Sequence, residues 1–241
     1  MLNKISNIWA TSGPMFINGT IVTLKISIFG TIVGLIIGLL VGTIRTIPKQ
    51  KGSKGIFQKI INAILSIYIL VFRGTPMMVQ SMLIFYGMPI LFNITLDKML
   101  AAYFIVSINT GAYMSEVVRG GIIGVDKGQF EAATSSGMSH LQTMLYIVIP
   151  QTMRNILPAT GNEFVINIKD TSVLNVIAIN ELFFASKSIG GASGDYFSPM
   201  LITSIIYLLL TTIITNLLRW IERKMEGPET YELSMGNQMQ V

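Results

Sequence analysis

Three groups of polar and charged residues interrupt long apolar runs of this sequence, and their types favour recognition of a small charged ligand. The groups are Arg73 to Pro76, the set Asn109, Tyr113 and Glu116, and the run Lys169 to Ser172. A helix that begins inside an apolar run offers free backbone amides and the positive end of its dipole to a carboxylate. Glu116 or Asp170 can pair with an ammonium group. Together the groups would suit a zwitterion of amino-acid size, although other ligands that carry both charges would fit the same pattern.

The Arg-Gly-Thr-Pro run predicts a broken helix. As one helix, the stretch from Ile60 to about Phe92 would be ~50 Å long, whereas the hydrocarbon layer of a membrane is ~30 Å thick. Thr75 is the predicted N-cap of a new helix that starts at Pro76, and Gly74 is expected to supply unusual backbone angles. Irregular backbone at membrane depth needs protein or a water-filled cavity beside it. A simple proline kink is the alternative, and the nearby Arg73 counts against it because buried cations need partners.

The other two groups each allow two interpretations. Asn109, Tyr113 and Glu116 follow one another at i, i+4 and i+7, which predicts one inward-facing polar stripe. Glu116 either contacts a ligand or pairs with Arg119 three residues later.

Lys169 and Asp170 either neutralise each other or leave Asp170 free to bind an ammonium group. Asp170, Thr171 and Ser172 are helix-breaking or capping types, so a second unwound point is predicted there.

Composition excludes several classes of protein. Of the 241 residues, 51% are apolar and 12% are charged, about half the charged share of a soluble domain. The absence of cysteine excludes disulfides, thiolate metal sites and a cysteine nucleophile. His140 is interpreted as a surface residue with no second metal ligand near it in sequence. An intramembrane hydrolase would need Ser172 to act with Asp170 and Lys169, which is a weak arrangement.

The apolar runs predict five membrane spans. They cover Ile26 to Ile44, Ile60 to about Phe92, about Met99 to Val118, about Ile156 to Phe184, and Tyr196 to Leu218. The loop after the first span is rich in lysine and arginine and has no acid, so it is predicted to be cytoplasmic. The amino terminus is then outside and the carboxyl terminus is cytoplasmic, with short outward loops near 89–98 and 185–195. This orientation accounts for the net charge of +5 without a nucleic-acid partner.

The first predicted span carries glycine at every fourth position. Gly30, Gly34, Gly38 and Gly42 lie on one helix face and allow another backbone to come close. We expect them to pack against another span of the same chain; a contact between two copies is the less favoured alternative.

The segment between the third and fourth spans identifies a family. Glu131-Ala132-Ala133, Gly137, Ile147 and Ile149-Pro150 resemble the EAA loop of permease subunits of binding-protein-dependent ABC importers, with isoleucine 149 where leucine is usual. The runs RGTP at 73–76, GAYMSEVVRGG at 111–121 and IKDTSVLN at 168–175 are similar to segments of the polar amino-acid branch. The resemblance implies an all-α integral membrane protein of about five transmembrane helices, the type I ABC importer permease fold. Residues 1–224 would form one permease domain with a coupling segment at about 129–150, and 225–241 a cytoplasmic tail.

The resemblance also implies functional residues. The substrate-binding candidates are Gly74, Thr75, Met78, Thr110, Gly111, Tyr113, Glu116, Asp170 and Ser172. The candidates for coupling to an ATPase are Glu131, Ala132, Ala133 and Gly137. No catalytic residue and no metal site is predicted.

The expected function is ATP-driven import of a polar amino acid across the bacterial cell membrane. The run NEFVINIKDTSVLN most resembles glutamine-type members, and basic amino acids come next. No phosphate-binding loop is present, so ATP and Mg are expected on a separate ATPase subunit and no cofactor in this chain. The other expected partners are an extracytoplasmic binding protein and a second permease subunit, identical or different. A secondary transporter driven by an ion gradient, with Glu116 or Asp170 as the proton site, is the alternative.

Overall fold

A computed structural model describes residues 2–225, and within this range the regular structure is helical throughout. The helices are α1 (Leu2–Thr46), α2 (Gly52–Gly74), α3 (Met77–Phe92), α4 (Lys98–Ile123), α5 (Lys127–Ser135), α6 (His140–Thr143), α7 (Ile149–Asp170), α8 (Leu182–Ser193) and α9 (Phe197–Met225). A π-helical turn, Met144–Val148, joins α6 to α7, and a 3₁₀ helix, Thr171–Ile177, follows α7. The predicted tail lies outside the described residues except for Met225.

Three helices, α1, α2 and α9, are long and apolar enough to cross a membrane, and the bent pair His140–Ile177 with Leu182–Ser193 would be a fourth span. The α3 helix is apolar but short. The α4 helix is not among the helices that are long and apolar enough to cross a membrane. It is nevertheless the most enclosed helix, with twelve of its 26 residues buried. A helix that its neighbours shield from lipid can carry polar side chains. The number of spans and the orientation of the chain therefore stay predictions.

The first helix is longer than its predicted span, because α1 runs for 45 residues rather than from Ile26 to Ile44. Part of its amino-terminal half packs against other helices of the chain. Phe16 is fully buried in a cluster with Leu182, Ile189 and Ile202 of α8 and α9. This packing explains why the helix continues beyond the uncharged run.

The glycine face of α1 packs within the chain, as predicted. A Cβ atom on Gly30, Gly34, Gly38 or Gly42 would lie 2.3–2.8 Å from Val106, Thr110, Met114 or Val118, respectively. The contacted residues of α4 also recur at every fourth position, and residue numbers increase in the same direction along the two helices. The two helices are therefore parallel and in close contact along a four-residue ridge, which agrees with the predicted direction of the first and third spans.

The region from 185 to 195 is mostly helical, which corrects the prediction of an outward loop there. The α8 helix extends to Ser193, and Gly194 ends it with φ of +69°. Asp195 then caps α9 through hydrogen bonds from the amides of Phe197 and Ser198 and from the Ser198 hydroxyl. These bonds from Ser198 hold the pKa of Asp195 below its ordinary value.

Candidate functional site

The predicted break in the second apolar run is present between α2 and α3, and two residues make it. Thr75 has φ −125° and ψ 148°, and Pro76 has φ −64° and ψ 135°, so both are extended. A proline disfavours helical backbone in the residue before it, which explains why α2 ends here. The Pro76 carbonyl then accepts hydrogen bonds from the amides of Val79 and Gln80 and starts α3.

Two details of the prediction were wrong. The N-cap position belongs to Pro76, and the Thr75 hydroxyl instead donates to the carbonyl of Val71 at the end of α2. Gly74 is the last residue of α2, and its φ is not positive. The extended geometry falls on the two residues after it, because the constraint comes from the proline ring.

Two amide side chains, a buried one from Gln80 and a half-buried one from Asn109, hold this joint. The side chain of Gln80 is 5% exposed, and its Nε2 lies 3.0 Å from the carbonyl oxygen of Phe72, 2.8 Å from that of Thr75 and 2.9 Å from the Thr75 hydroxyl. Asn109 of α4 donates to Oε1 of Gln80 at 2.9 Å and to the Phe72 carbonyl at 3.2 Å. Carbonyls that the break deprives of helical partners are therefore satisfied by side chains.

The other face of the joint is open. Arg73, Gly74 and Met78 are exposed in the chain. The guanidinium carbon of Arg73 lies 5.3 Å from the centre of the Tyr113 ring, a cation–π arrangement that joins α2 to α4. The structure thus brings together four predicted residues, Gly74, Thr75, Met78 and Tyr113, around the start of α3.

Thr110 and Gly111 lie inside the packing rather than on the open face. Thr110 has no exposed surface, and its hydroxyl donates to Oδ1 of Asn167, whose Nδ2 donates to Thr31. A Cβ on Gly111 would be 2.7 Å from Ile37. The close contact between α1 and α4 encloses both residues, and their role in substrate binding stays a prediction.

Glu116 forms ion pairs with two arginines. One carboxylate oxygen contacts Arg45 at the end of α1, and the other accepts two hydrogen bonds from Arg119, at 2.9 and 3.0 Å. Arg119 was the predicted partner, and Arg45 was not foreseen. The carboxylate therefore connects the ends of α1 and α4, and its use by a ligand would require these pairs to open.

The Lys169 to Ser172 region changes helix type without a full break. The α geometry ends at Asp170, and the chain winds on as a 3₁₀ helix through Ile177. The true break comes later, at Ala178, which has φ of +56°, and the helix axis bends by 52°. Lys169 and Asp170 are both exposed, and within residues 2–225 they form no ion pair, since adjacent residues of a helix point in different directions.

Glu181 closes the second break. This residue has no exposed surface, and its carboxylate accepts hydrogen bonds from the amides of Phe183 and Phe184 and from the Tyr207 hydroxyl. It thereby caps α8 and attaches this helix to α9. The acid satisfies amides at the very place where a free helix start would otherwise exist.

The predicted coupling segment is a short helix, a glycine turn and a second helix. Gly137 has φ of +77°, and the amides of Gly137 and Met138 bond back to Thr134 and Ala133. Ser139 and Gln142 form a capping box that starts α6. Glu131 and Ala132 are exposed on α5, whereas Ala133 is buried.

Sequence reasoning did not single out Gln80, Asn167, Arg45 or Glu181 as positioning residues. Gln80 carried a usable signal, because it is the one amide in an apolar run just after the proline. Glu181 lies before an apolar helix at a capping position, which is also a recognisable pattern. Partners from distant helices, such as Thr31 for Asn167, carry no local signal.

A helical bundle in which one apolar helix is discontinuous is typical of membrane transport proteins. The chain belongs to the family described as "Binding-protein-dependent transport system inner membrane component", which matches residues 55–227. This membership confirms the family resemblance.

Individual relatives agree with the family. The chain is 36% identical over 222 residues to the glutamine transport system permease protein GlnP of Escherichia coli K12, covering 92% of this chain and 97% of that protein. It is 33% identical over 214 residues to the arginine transport system permease protein ArtQ of Bacillus subtilis, covering 89% and 94%.

Solved structures have the same fold. A crystal structure of an amino acid ABC transporter with histidines matches with a TM-score of 0.77 and 36% identity, over 89% of this chain and 96% of that one. An inward-facing MetNI methionine ABC transporter matches with a TM-score of 0.71 at 17% identity, over 88% and 96%. The second likeness concerns the fold alone.

Proposed function

We propose that this chain is the membrane subunit through which a polar amino acid is imported at the expense of ATP. The family membership and the relatives named for glutamine and arginine transport support this proposal. ATP and Mg would bind to separate ATPase subunits, and an extracytoplasmic binding protein would deliver the substrate. Two permease subunits would enclose the pathway. An importer driven by an ion gradient is not favoured by these relatives.

The observation that carries the proposal is the joint between α2 and α3. Carbonyl oxygens that have no helical partner at this joint accept hydrogen bonds from Gln80 and Asn109. On the other side of the joint, Gly74, Met78 and Tyr113 are exposed. The start of α3 would take the substrate carboxylate through backbone amides. Asp170, with Ser172 beside it, would take the ammonium group. Glu116 would join them only after release from Arg45 and Arg119.

A glutamine-type substrate is proposed first and a basic amino acid second. Both share the α-carboxylate and the α-ammonium group, so the same joint serves either.

Uptake into liposomes tests the proposal. The permease is reconstituted with the ATPase and the binding protein that its gene neighbourhood encodes, and labelled glutamine and arginine are supplied outside. We expect uptake that requires ATP and persists when ionophores remove ion gradients. Uptake that ATP does not change and that ionophores abolish would establish the secondary transporter instead.

The exposed acid, Asp170, gives a test of the ammonium contact. Asp170→Asn should raise the half-saturating substrate concentration strongly. If Asp170 served only to neutralise Lys169, the double change with Lys169→Met would restore uptake. Restoration in the double variant would therefore remove Asp170 from the proposed site.

We also propose that the segment around α5 couples the permease to the ATPase. Glu131 and Ala132 would contact the ATPase. The buried Ala133 would hold this helix against the rest of the permease, and Gly137 would end the helical segment. Gly137→Val should uncouple transport from ATP hydrolysis, since a β-branched residue resists a positive φ. Gly137→Asn is the matched control, because asparagine tolerates this conformation. Equal substrate-stimulated ATP hydrolysis in the wild type and Gly137→Val would contradict the docking role.

A further inference from the structure

The last helix has a polar face that the site described above does not use. Thr211, Thr212, Thr215, Asn216 and Arg219 follow at i, i+1, i+4, i+5 and i+8, a spacing that places them along one side of α9. Two apolar residues of the same stretch face outward, since Ile213 is 63% exposed and Leu217 is 52% exposed, whereas Ile214 and Leu218 are half-buried. A helix that is apolar on one side and polar on the other needs water or protein against the polar side.

This polar face lines a groove against α7. A cavity of about 360 Å³ lies between the face and two residues of α7, Val165 and Lys169. A second cavity of about 220 Å³ shares Val165 and Arg219 with it and continues to Asn162 and Glu222. Each is close to the lower end of the volumes of small-molecule sites, roughly 300 Å³, and together they form one path along the two helices.

The lining residues show how α7 and α9 run relative to each other along the groove. Lys169 lies opposite the start of the polar face, while Pro158 and Gly161, two to three turns earlier in α7, lie opposite Leu218 and Glu222. The helices are therefore antiparallel. Arg219 comes two helical turns after Thr211, or about 12 Å further along the axis. In the predicted orientation this direction leads from mid-membrane to the cytoplasm.

Two cations line the groove, Lys169 at its start and Arg219 where its two sections meet. Within residues 2–225, neither Lys169 nor Arg219 has a carboxylate oxygen within 4.0 Å. Asp170 follows Lys169 in the chain but does not line the groove, and Glu222 lines only its far section. A cation in a membrane-spanning helix needs an anionic or hydrated partner, so the electrostatic character of the groove favours an anion.

We propose that this groove is a second substrate subsite, in which the α-carboxylate of the amino acid passes from Lys169 to Arg219 on its way to the cytoplasm. The proposal rests on the proposed function, since it takes the imported ligand to be an amino acid. The threonine hydroxyls and the Asn216 amide replace water around the passing polar groups. The transfer involves no covalent step.

The test uses the absence of cysteine from this chain, which makes Thr215→Cys its only thiol. The whole transporter is placed in lipid nanodiscs and treated with two membrane-impermeant methanethiosulfonate reagents, one anionic and one cationic. Mass spectrometry of this chain gives each rate, which is divided by the rate of the same reagent with a free thiol. We expect the anionic reagent to be about three- to tenfold faster, since a cationic cleft concentrates anions. Millimolar substrate should slow the reaction.

Two further variants give the controls. Ile213→Cys lies on the outward face of the same helix and should react with neither reagent. Adding Arg219→Gln to Thr215→Cys should reduce the preference for the anionic reagent.

Three results would overturn the proposal. Equal normalised rates would exclude a cationic groove. No reaction at Thr215→Cys would show that the face is covered by a second subunit. Slowing by anionic phospholipid but not by substrate would assign the groove to a lipid headgroup. Amino-acid uptake by the wild-type preparation, measured in parallel, separates these failures from failure of the proposed function itself.

Discussion

The chain breaks a helix at two places, and the two breaks are built in opposite ways. Between α2 and α3 the backbone becomes extended for two residues and then resumes as a helix. After α7 the chain tightens into a 3₁₀ helix, reverses at Ala178 and starts α8 at a buried acid. The first break is abrupt and half open, while the second is gradual and enclosed.

The difference lies in which backbone groups receive side-chain partners. At the first break, Gln80 and Asn109 satisfy carbonyl oxygens, and no side chain caps the start of α3. At the second, Glu181 satisfies the amides at the start of α8. A carboxylate ligand needs amides, so the first break is suited to bind it and the second already holds a carboxylate of its own. We infer that the first break serves recognition and the second serves stability.

The largest effect on stability is therefore expected at the second break. Glu181→Leu would leave the amides of Phe183 and Phe184 and the Tyr207 hydroxyl without their partner, at about 1–3 kcal/mol for each buried group. Glu181→Gln keeps one acceptor oxygen and should cost less. The measurement is thermal unfolding of the purified transporter, with the exposed Lys187→Met of the same helix as the control. Equal unfolding temperatures for Glu181→Leu and the wild type would contradict the assigned role.

The next effect concerns the first break and should appear in transport. Gln80→Leu removes the donor to the Phe72 and Thr75 carbonyls, so the joint loses its fixed geometry. We expect uptake to fall several-fold, with a loss of about 1–3 kcal/mol in stability.

A double-mutant cycle with Asn109→Ala checks that these two amides act as a pair. Because the side chains bond directly, their effects should be non-additive by about 0.5–3 kcal/mol. Met82→Leu, an exposed change on the same helix, is the control. Additive losses would show that the two amides support the joint independently.

The two breaks also differ in how far the sequence predicted them. The first was located correctly, because proline acts on its own neighbours and the apolar run was too long for one span. The second was placed at Asp170 to Ser172, six to eight residues before the reversal at Ala178, because capping residue types allow a break without requiring one. The membrane class followed from composition and the glycine face of α1 from spacing, whereas the fold class was implied by the family resemblance. The side-chain partners could not follow, because Gln80 with Asn109 and Glu181 with Tyr207 meet only after distant helices pack.

A smaller effect is expected at Thr75. Its hydroxyl donates to the Val71 carbonyl and lies 2.9 Å from the amide nitrogen of Gln80, so its function is to connect the end of α2 to the amide pair. Thr75→Ser keeps the hydroxyl and should transport as the wild type does. Thr75→Val keeps the shape and loses both bonds, with a cost of about 1 kcal/mol. Indistinguishable uptake by the serine and valine variants would show that the hydroxyl is unimportant.

The smallest effect on stability, and the sharpest test of recognition at the first break, belongs to Gly74. A Cβ at this position would meet nothing within 4 Å, and the backbone angles are open to any residue. Gly74→Ala should therefore change the free energy of unfolding by no more than about 0.5 kcal/mol.

Any change in transport by Gly74 variants would then report contact with the substrate rather than damage to the fold. If the amides at the start of α3 hold the carboxylate, Gly74→Ala should raise the half-saturating substrate concentration modestly, and Gly74→Val should raise it further at unchanged stability. A decarboxylated amine analogue, which keeps the ammonium group, should compete poorly with the amino acid in the wild type. An analogue that competes equally well would mean that no carboxylate is held there, and the open face of the first break would then have only a structural role, like the enclosed second break.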